Sequence, residues 1–115
     1  MDNPVIDKHG HKRWYDTTGK IHRTDGPAIE WADGTKDWWQ HGLRHRADGP
    51  AVEYAHGTKD WWQHGLRHRA DGPAVEWADG DKFWYLNDKL LSFDQWLDEV
   101  DISAEDKVMM KLKYG

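Results

Sequence analysis

The segment Thr35–Glu53, TKDWWQHGLRHRADGPAVE, recurs without a single change at Thr58–Glu76, 23 residues downstream. The same interval separates His22, His45 and His68, Arg23, Arg46 and Arg69, the DGPA runs beginning at Asp25, Asp48 and Asp71, and Gly34, Gly57 and Gly80. A fixed period with no insertion describes a stack in which each unit touches chiefly its neighbours, with atypical units at the ends.

Within one unit, Thr35–Gln40 carries a β-branched residue and two tryptophans and reads as a strand. His41-Gly42 suits a two-residue hairpin turn, because glycine tolerates positive φ. Leu43–Arg46 then pairs back, so Gln40 faces Leu43, Trp39 faces Arg44, Trp38 faces His45 and Asp37 faces Arg46. Alternation along a strand puts Trp38 and His45 on one face, with His45 packed on Trp38, and Trp39, Arg44, Asp37 and Arg46 on the other. Asp48-Gly49-Pro50 interrupts the strand, since proline cannot donate to a ladder. Ala51–Tyr54 forms a second short strand, and Glu30, Glu53 and Glu76 lie across a turn from Lys36, Lys59 and Lys82. The expected fold is mainly β, an antiparallel meander with two to three short strands per unit.

The ends depart from the pattern. Residues 1–10 show no periodicity and read as a lead-in. HKRWYD from His11 opens a degenerate first copy, and the repeat array runs over 11–91. In the fourth unit Phe83 replaces the aspartate, Leu86 replaces the glutamine, and Leu90-Leu91 replaces the His-Arg element. Ser92-Phe-Asp-Gln95 is a capping-box pattern flanked by Leu91 and Trp96. Phe93, Trp96, Leu97 and Val100 follow at helical spacing, and Ser103 precedes a second stripe of Ala104, Val108 and Leu112. Helices at 93–100 and 104–112 are expected to form a two-helix cap over the open end of the sheet, within one domain of 115 residues.

A mean hydropathy of -1.03 with 32% charged residues would point to disorder, were it not for nine tryptophans at fixed spacing. No cysteine is present, so thiolate chemistry and disulfides are excluded. The N-terminus has no apolar run of the signal-peptide kind and no stretch is long enough to span a membrane, which gives the expectation of a cytoplasmic protein. With a net charge of -5 and no basic stripe, direct binding to nucleic acid is not expected.

The two serines, Ser92 and Ser103, are both accounted for as helix caps, which leaves no hydroxyl nucleophile with a serine's chemistry. A His–carboxylate site would be built several times over by identical units, whereas an active site needs different groups in different roles. The expectation is therefore no enzyme, no catalytic residue and no cofactor. The His41/His45 and His64/His68 pairs have the spacing of ligands on a helix, but across a turn they splay, so no metal is expected. What remains is the constellation Trp38, Trp39, Arg44, His45, Arg46, Trp61, Trp62, Arg67, His68 and Arg69. Arginine forks bind phosphate or carboxylate and tryptophan stacks on planar groups, so these are the candidate partner-binding residues. The aspartates Asp37, Asp48, Asp60 and Asp71 stand ready to satisfy the arginines from within the chain. A thin sheet cannot cover two tryptophan rows by itself, which leaves one face for a partner or for a second copy of the chain.

The run WQHGLRHRADGPAVEWADG at Trp62–Gly80 resembles a MORN repeat, with HRxDGPA standing where that family carries a simple His-Gly-x-Gly. The likeness extends over about Lys12–Leu91. It implies a MORN-like β-hairpin array acting as a protein-interaction or scaffold module; lipid binding has also been proposed for the family, and no catalytic residues carry over. HRxDGPA arrays with a short helical tail also resemble small proteins of tailed bacteriophages. That likeness implies a host bacterial protein that the chain inhibits or adapts, in the host cytoplasm. The alternative is a module that sequesters a nucleotide or another small phosphorylated ligand through the Trp, His and Arg rows.

Overall fold

A computed structural model describes residues 3–115. Its spine is an antiparallel sheet of nine strands, most of them only two residues long. In spatial order these are β1 (Val5–Ile6), β2 (Lys12–Arg13), β3 (Ile29–Glu30), β4 (Lys36–Asp37), β7 (Val52–Glu53), β8 (Lys59–Asp60), β11 (Val75–Glu76), β12 (Lys82–Leu86) and β13 (Lys89–Leu91). Two hairpins stand off this spine, β5 (Trp39–Gln40) with β6 (Leu43–Arg44) and β9 (Trp62–Gln63) with β10 (Leu66–Arg67). Two helices, α1 (Phe93–Glu99) and α2 (Ala104–Tyr114), close the chain.

A two-residue strand gives one side chain to each face, so the spine carries two rows. One reads Lys12, Glu30, Lys36, Glu53, Lys59, Glu76, Lys82, with opposite charges in register at every step. This is the predicted glutamate–lysine opposition, although the closest ion pairs of Glu30 and Glu53 run to Arg23 and Arg46. The other row reads Arg13, Ile29, Asp37, Val52, Asp60, Val75, Phe83, and its members between Ile29 and Val75 are buried.

The hairpins follow the predicted register, Gln40 opposite Leu43 and Trp39 opposite Arg44. Both turn residues have positive φ, 48° at His41 and 82° at Gly42, the backbone of a turn whose twist matches its flanking strands. Thr35–Gln40 is not one uniform strand, however. At Trp38 it changes partners: its N–H donates to Ala51 O at 2.7 Å while its carbonyl accepts from His45 N–H at 3.1 Å. Arg46 consequently does not face Asp37, contrary to the sequence reading. Beyond His45 the chain leaves its own hairpin, and Arg46 N–H donates to Trp62 O of the next unit at 3.2 Å. Arg23 and Arg69 do the same with Trp39 O and Tyr85 O.

Two further contacts stitch each unit to the next. The Nδ1 atoms of His22, His45 and His68 accept from the backbone N–H of His41, His64 and Asn87 at 3.0, 3.1 and 3.0 Å. On the opposite edge, Thr35 and Thr58 Oγ1 accept from Ala55 and Ala78 N–H, and His11 Nδ1 fills that role for Ala32. Both bonds recur at the 23-residue interval, so the repeated sequence builds a repeated joint, with Asn87 and His11 standing in at the ends.

The lead-in, which lies outside the repeat, contributes a strand to the sheet. Val5 and Ile6 form the edge strand, and Asp7 accepts from His9 N–H, His11 N–H and Arg13 Nη1 to fix the turn that follows. Residues 1 and 2 of that lead-in lie outside the described residues. At the other end the capping box at Ser92 and Gln95 is present, and Trp84, Leu91, Trp96, Leu97 and Val100 form the one all-apolar cluster. Trp96 is fully buried and donates from Nε1 to Arg69 O at 3.1 Å, which ties the cap to the array. The stripe expected to seat α2 is reversed. Val108 and Leu112 face solvent, while Met110 and Tyr114 pack on the cluster, because Trp84 and Phe93 offer an aromatic seat for the Tyr114 ring.

Candidate functional site

The predicted residues fall on the two faces of the array. On one, the guanidinium groups of Arg23, Arg46 and Arg69 lie over the rings of Trp14, Trp38 and Trp61 at 3.9, 3.8 and 3.9 Å. Each of these arginines also donates from Nε to the aspartate two residues on, and from Nη1 to the proline carbonyl four residues on. For Arg46 the set is completed by Glu53 at 2.9 Å. This explains the HRxDGPA motif physically. The aspartate and proline form a clasp around the fork, and the glycine between them leaves room for it: a Cβ on Gly49 would stand 3.1 Å from Arg46 Cζ, and one on Gly72 2.7 Å from Arg69 Cζ.

His45 does not pack on Trp38 as the sequence reading expected, because Arg46 already covers that ring. It stacks instead on His64, with centroids 4.4 Å apart, as His22 stacks on His41 at 4.1 Å. Burial pushes the imidazoles of His45 and His68 below their ordinary range, with His64 adding to the effect at His45. His41 turns toward Asp16, so His41 and His45 diverge to different neighbours. Among the described residues, no three His, Asp or Glu side chains are grouped to hold a metal ion.

On the other face, Trp39, Arg44, Trp62, Arg67 and Tyr85 form an alternating column. Arg44 lies 5.1 and 5.3 Å from the rings of Trp39 and Trp62, and Arg67 lies 5.0 and 5.5 Å from those of Trp62 and Tyr85. Each fork grips a buried carboxylate beneath it, Arg44 on Asp37 and Arg67 on Asp60, through both Nε and Nη2 at 3.1–3.2 Å. The bond from Asp60 raises the Arg67 pKa further above its already high range. The Nε1–H groups of Trp39 and Trp62 are buried in this column without a hydrogen-bond partner.

A third aromatic row was not singled out from the sequence. Trp31, Tyr54 and Trp77 also recur at the 23-residue interval, each just past its spine strand and ahead of a turn. Their shared position was legible, but the Tyr at 54 breaks the tryptophan signature that drew attention to Trp38 and Trp61. Each ring is braced: Trp31 by His11 and Arg13, Tyr54 by a stack on His56, Trp77 by the edge of Phe83. Trp77 is 51% exposed, the one tryptophan of the chain in the open.

Between Trp31 and Tyr54 of this row and Arg44 of the column lies a groove of about 740 Å³. Trp31, Tyr54 and His11 stand on one side and Arg44 on the other, over a floor of Asp37 and Val52. Burial and the Asp60 carboxylate beside it raise the Tyr54 phenol above its ordinary range. The polar groups around the groove are largely consumed by the fold, since both forks are paired with carboxylates. What the groove offers is therefore aromatic area with a hydrogen-bonding rim. No family model, curated protein or solved structure matches this chain.

Proposed function

We propose that the chain is a non-enzymatic binding module whose ligand is another protein, held in the groove lined by Trp31, Tyr54 and Arg44 and along the aromatic row that Trp77 continues. The observation that supports this most is the state of the arginines. Arg23, Arg44, Arg46, Arg67 and Arg69 each already have a carboxylate partner within 3.3 Å. A phosphate would have to displace these partners, which speaks against a nucleotide-sequestering role. Braced aromatic rings with one exposed side are, by contrast, the material of protein interfaces, where rigid aromatics supply contact area at low entropic cost. The identity of neighbouring units favours a ligand read as a series of equivalent contacts over one reacting at a single centre. The likeness to small phage proteins directs the search toward a host bacterial protein that the module inhibits or adapts.

Affinity capture from bacterial lysate tests the reading. The intact chain should retain a protein in stoichiometric amount, and Tyr54→Ala should lose it while keeping its circular dichroism spectrum. A nucleotide released on heating, with no protein retained, would overturn the proposal in favour of the phosphate ligand.

A further inference from the structure

The spacing of the Trp31–Tyr54–Trp77 row, two half-buried rings and one exposed, defines the shape of what it can hold. Trp31, Tyr54 and Trp77 follow β3, β7 and β11, and one further strand lies between each successive pair. Strands in a sheet are about 4.7–4.9 Å apart, so the three rings repeat every ~9.6 Å. A polyproline II helix rises about 3.1 Å per residue with three residues per turn, which brings an equivalent side chain to one face every ~9.3 Å. The two periods agree within the variation a twisted sheet allows. An extended β-strand ligand, at about 6.6–6.8 Å per two residues, would fall out of step by the second ring.

The charge left uncompensated along this row is negative. Arg44 and Arg67 are neutralised by Asp37 and Asp60, and Arg13 by Asp7. Asp33 in the loop after Trp31, and Asp79 and Asp81 in the loop after Trp77, are exposed and make no ion pair among the described residues. The Asp33 carboxylate accepts from Thr35 N–H and stays ionised. We infer that the occupant of this aromatic row, which starts in the groove at Trp31 and Tyr54 and continues past it to Trp77, is a basic, proline-rich segment in the polyproline II conformation, with every third residue seated on Trp31, Tyr54 and Trp77 and its positive charges toward Asp33, Asp79 and Asp81. Bridging three rings takes two full turns, about seven residues. Pro4, Pro27, Pro50 and Pro73 are isolated from one another, so none of them supplies such a segment, and we assign it to a partner protein. This inference rests on the protein-binding reading above and names the chemistry of its ligand.

Titration of the full chain with a fluorescent peptide of four Pro-Pro-Arg repeats tests it. Binding should saturate at one peptide per chain and weaken at least tenfold for Tyr54→Ala. It should weaken likewise for Trp77→Ala, whose ring is half exposed, with the circular dichroism spectrum of each variant kept. Asp33→Asn with Asp79→Asn should weaken it too, and a Pro-Pro-Glu peptide should not bind. A Gly-Ser-Arg peptide of equal length and charge that binds as well would overturn the polyproline assignment, as would binding that survives both aromatic variants. If no peptide binds while the lysate partner is still captured and still lost with Tyr54→Ala, the ligand chemistry is wrong and the docking surface stands. If the partner is retained by Tyr54→Ala, both fail.

Discussion

At the scale of single residues, the stability of this molecule depends on charges that an all-apolar core would not need. Asp60 is almost wholly buried on the spine, with the Arg67 fork as its only ion-pair partner among the described residues. Removing one member of a buried pair leaves the other uncompensated, so Arg67→Ala is expected to cost about 3–5 kcal/mol in urea unfolding. Phe83 shows that the same spine position accepts an apolar side chain in the fourth unit. Asp60→Leu combined with Arg67→Leu should therefore cost much less than Arg67→Ala alone; additive losses would mean that the pair is not the unit of stability. The histidine joints have a definite pH response. With His45 and His68 held below the ordinary value of 6.5, the unfolded chain takes up protons at these sites before the folded one does. Their contribution is complete above about 6.5 and declines as pH falls toward the lowered folded values. The urea midpoint should drop between about pH 7 and pH 5. Asn at both positions, which can accept the same bond without titrating, should flatten that slope.

At the scale of elements, the Arg–Asp–Gly–Pro clasp makes one more demand. A methyl group on Gly72 would stand 2.7 Å from Arg69 Cζ, and the fork cannot swing aside without releasing Asp71 and the Pro73 carbonyl. Gly72→Ala is expected to destabilise by about 1–3 kcal/mol, with most of that penalty absent in an Arg69→Ala background. The hairpin register, the glutamate–lysine opposition and both helices were legible in the residues, because turn glycines, alternation and serine caps act over a few positions. The partner of Arg46 was not, since it depends on the chain crossing to the next unit after His45, a step set by tertiary pairing. The seating of α2 was misread for a similar reason. Val108 and Leu112 have the right spacing, but the aromatic seat favours Tyr114 on another side of the same helix.

At the scale of the whole molecule, whose longest dimension is 47 Å, the array is a one-dimensional stack sealed at one end by the Trp84–Trp96 cluster and held together by joints that repeat with the sequence. Deleting residues 36–58 would join Thr35 to Lys59 in the context that Thr58 now provides. The shortened chain is expected to unfold cooperatively, at lower denaturant and with a smaller m-value. The binding face is likewise a property of the stack, since the Trp31–Tyr54–Trp77 row spans three units, no single unit presents more than one of its rings, and the groove itself takes Trp31 and Tyr54 from two of them. Of the sequence-derived site, Arg44 lines that groove and Trp39, Trp62 and Arg67 continue its column, while Trp38, Arg46, Trp61 and Arg69 form the clasps of the opposite face. The account's central claim, that this one face receives the partner, is tested most directly by site-specific photo-crosslinking in lysate. A photoreactive amino acid at position 54, in the groove, should crosslink a single protein, and one at position 59, on the charged face of the spine, should not. Crosslinking from position 59 with none from position 54 would contradict it.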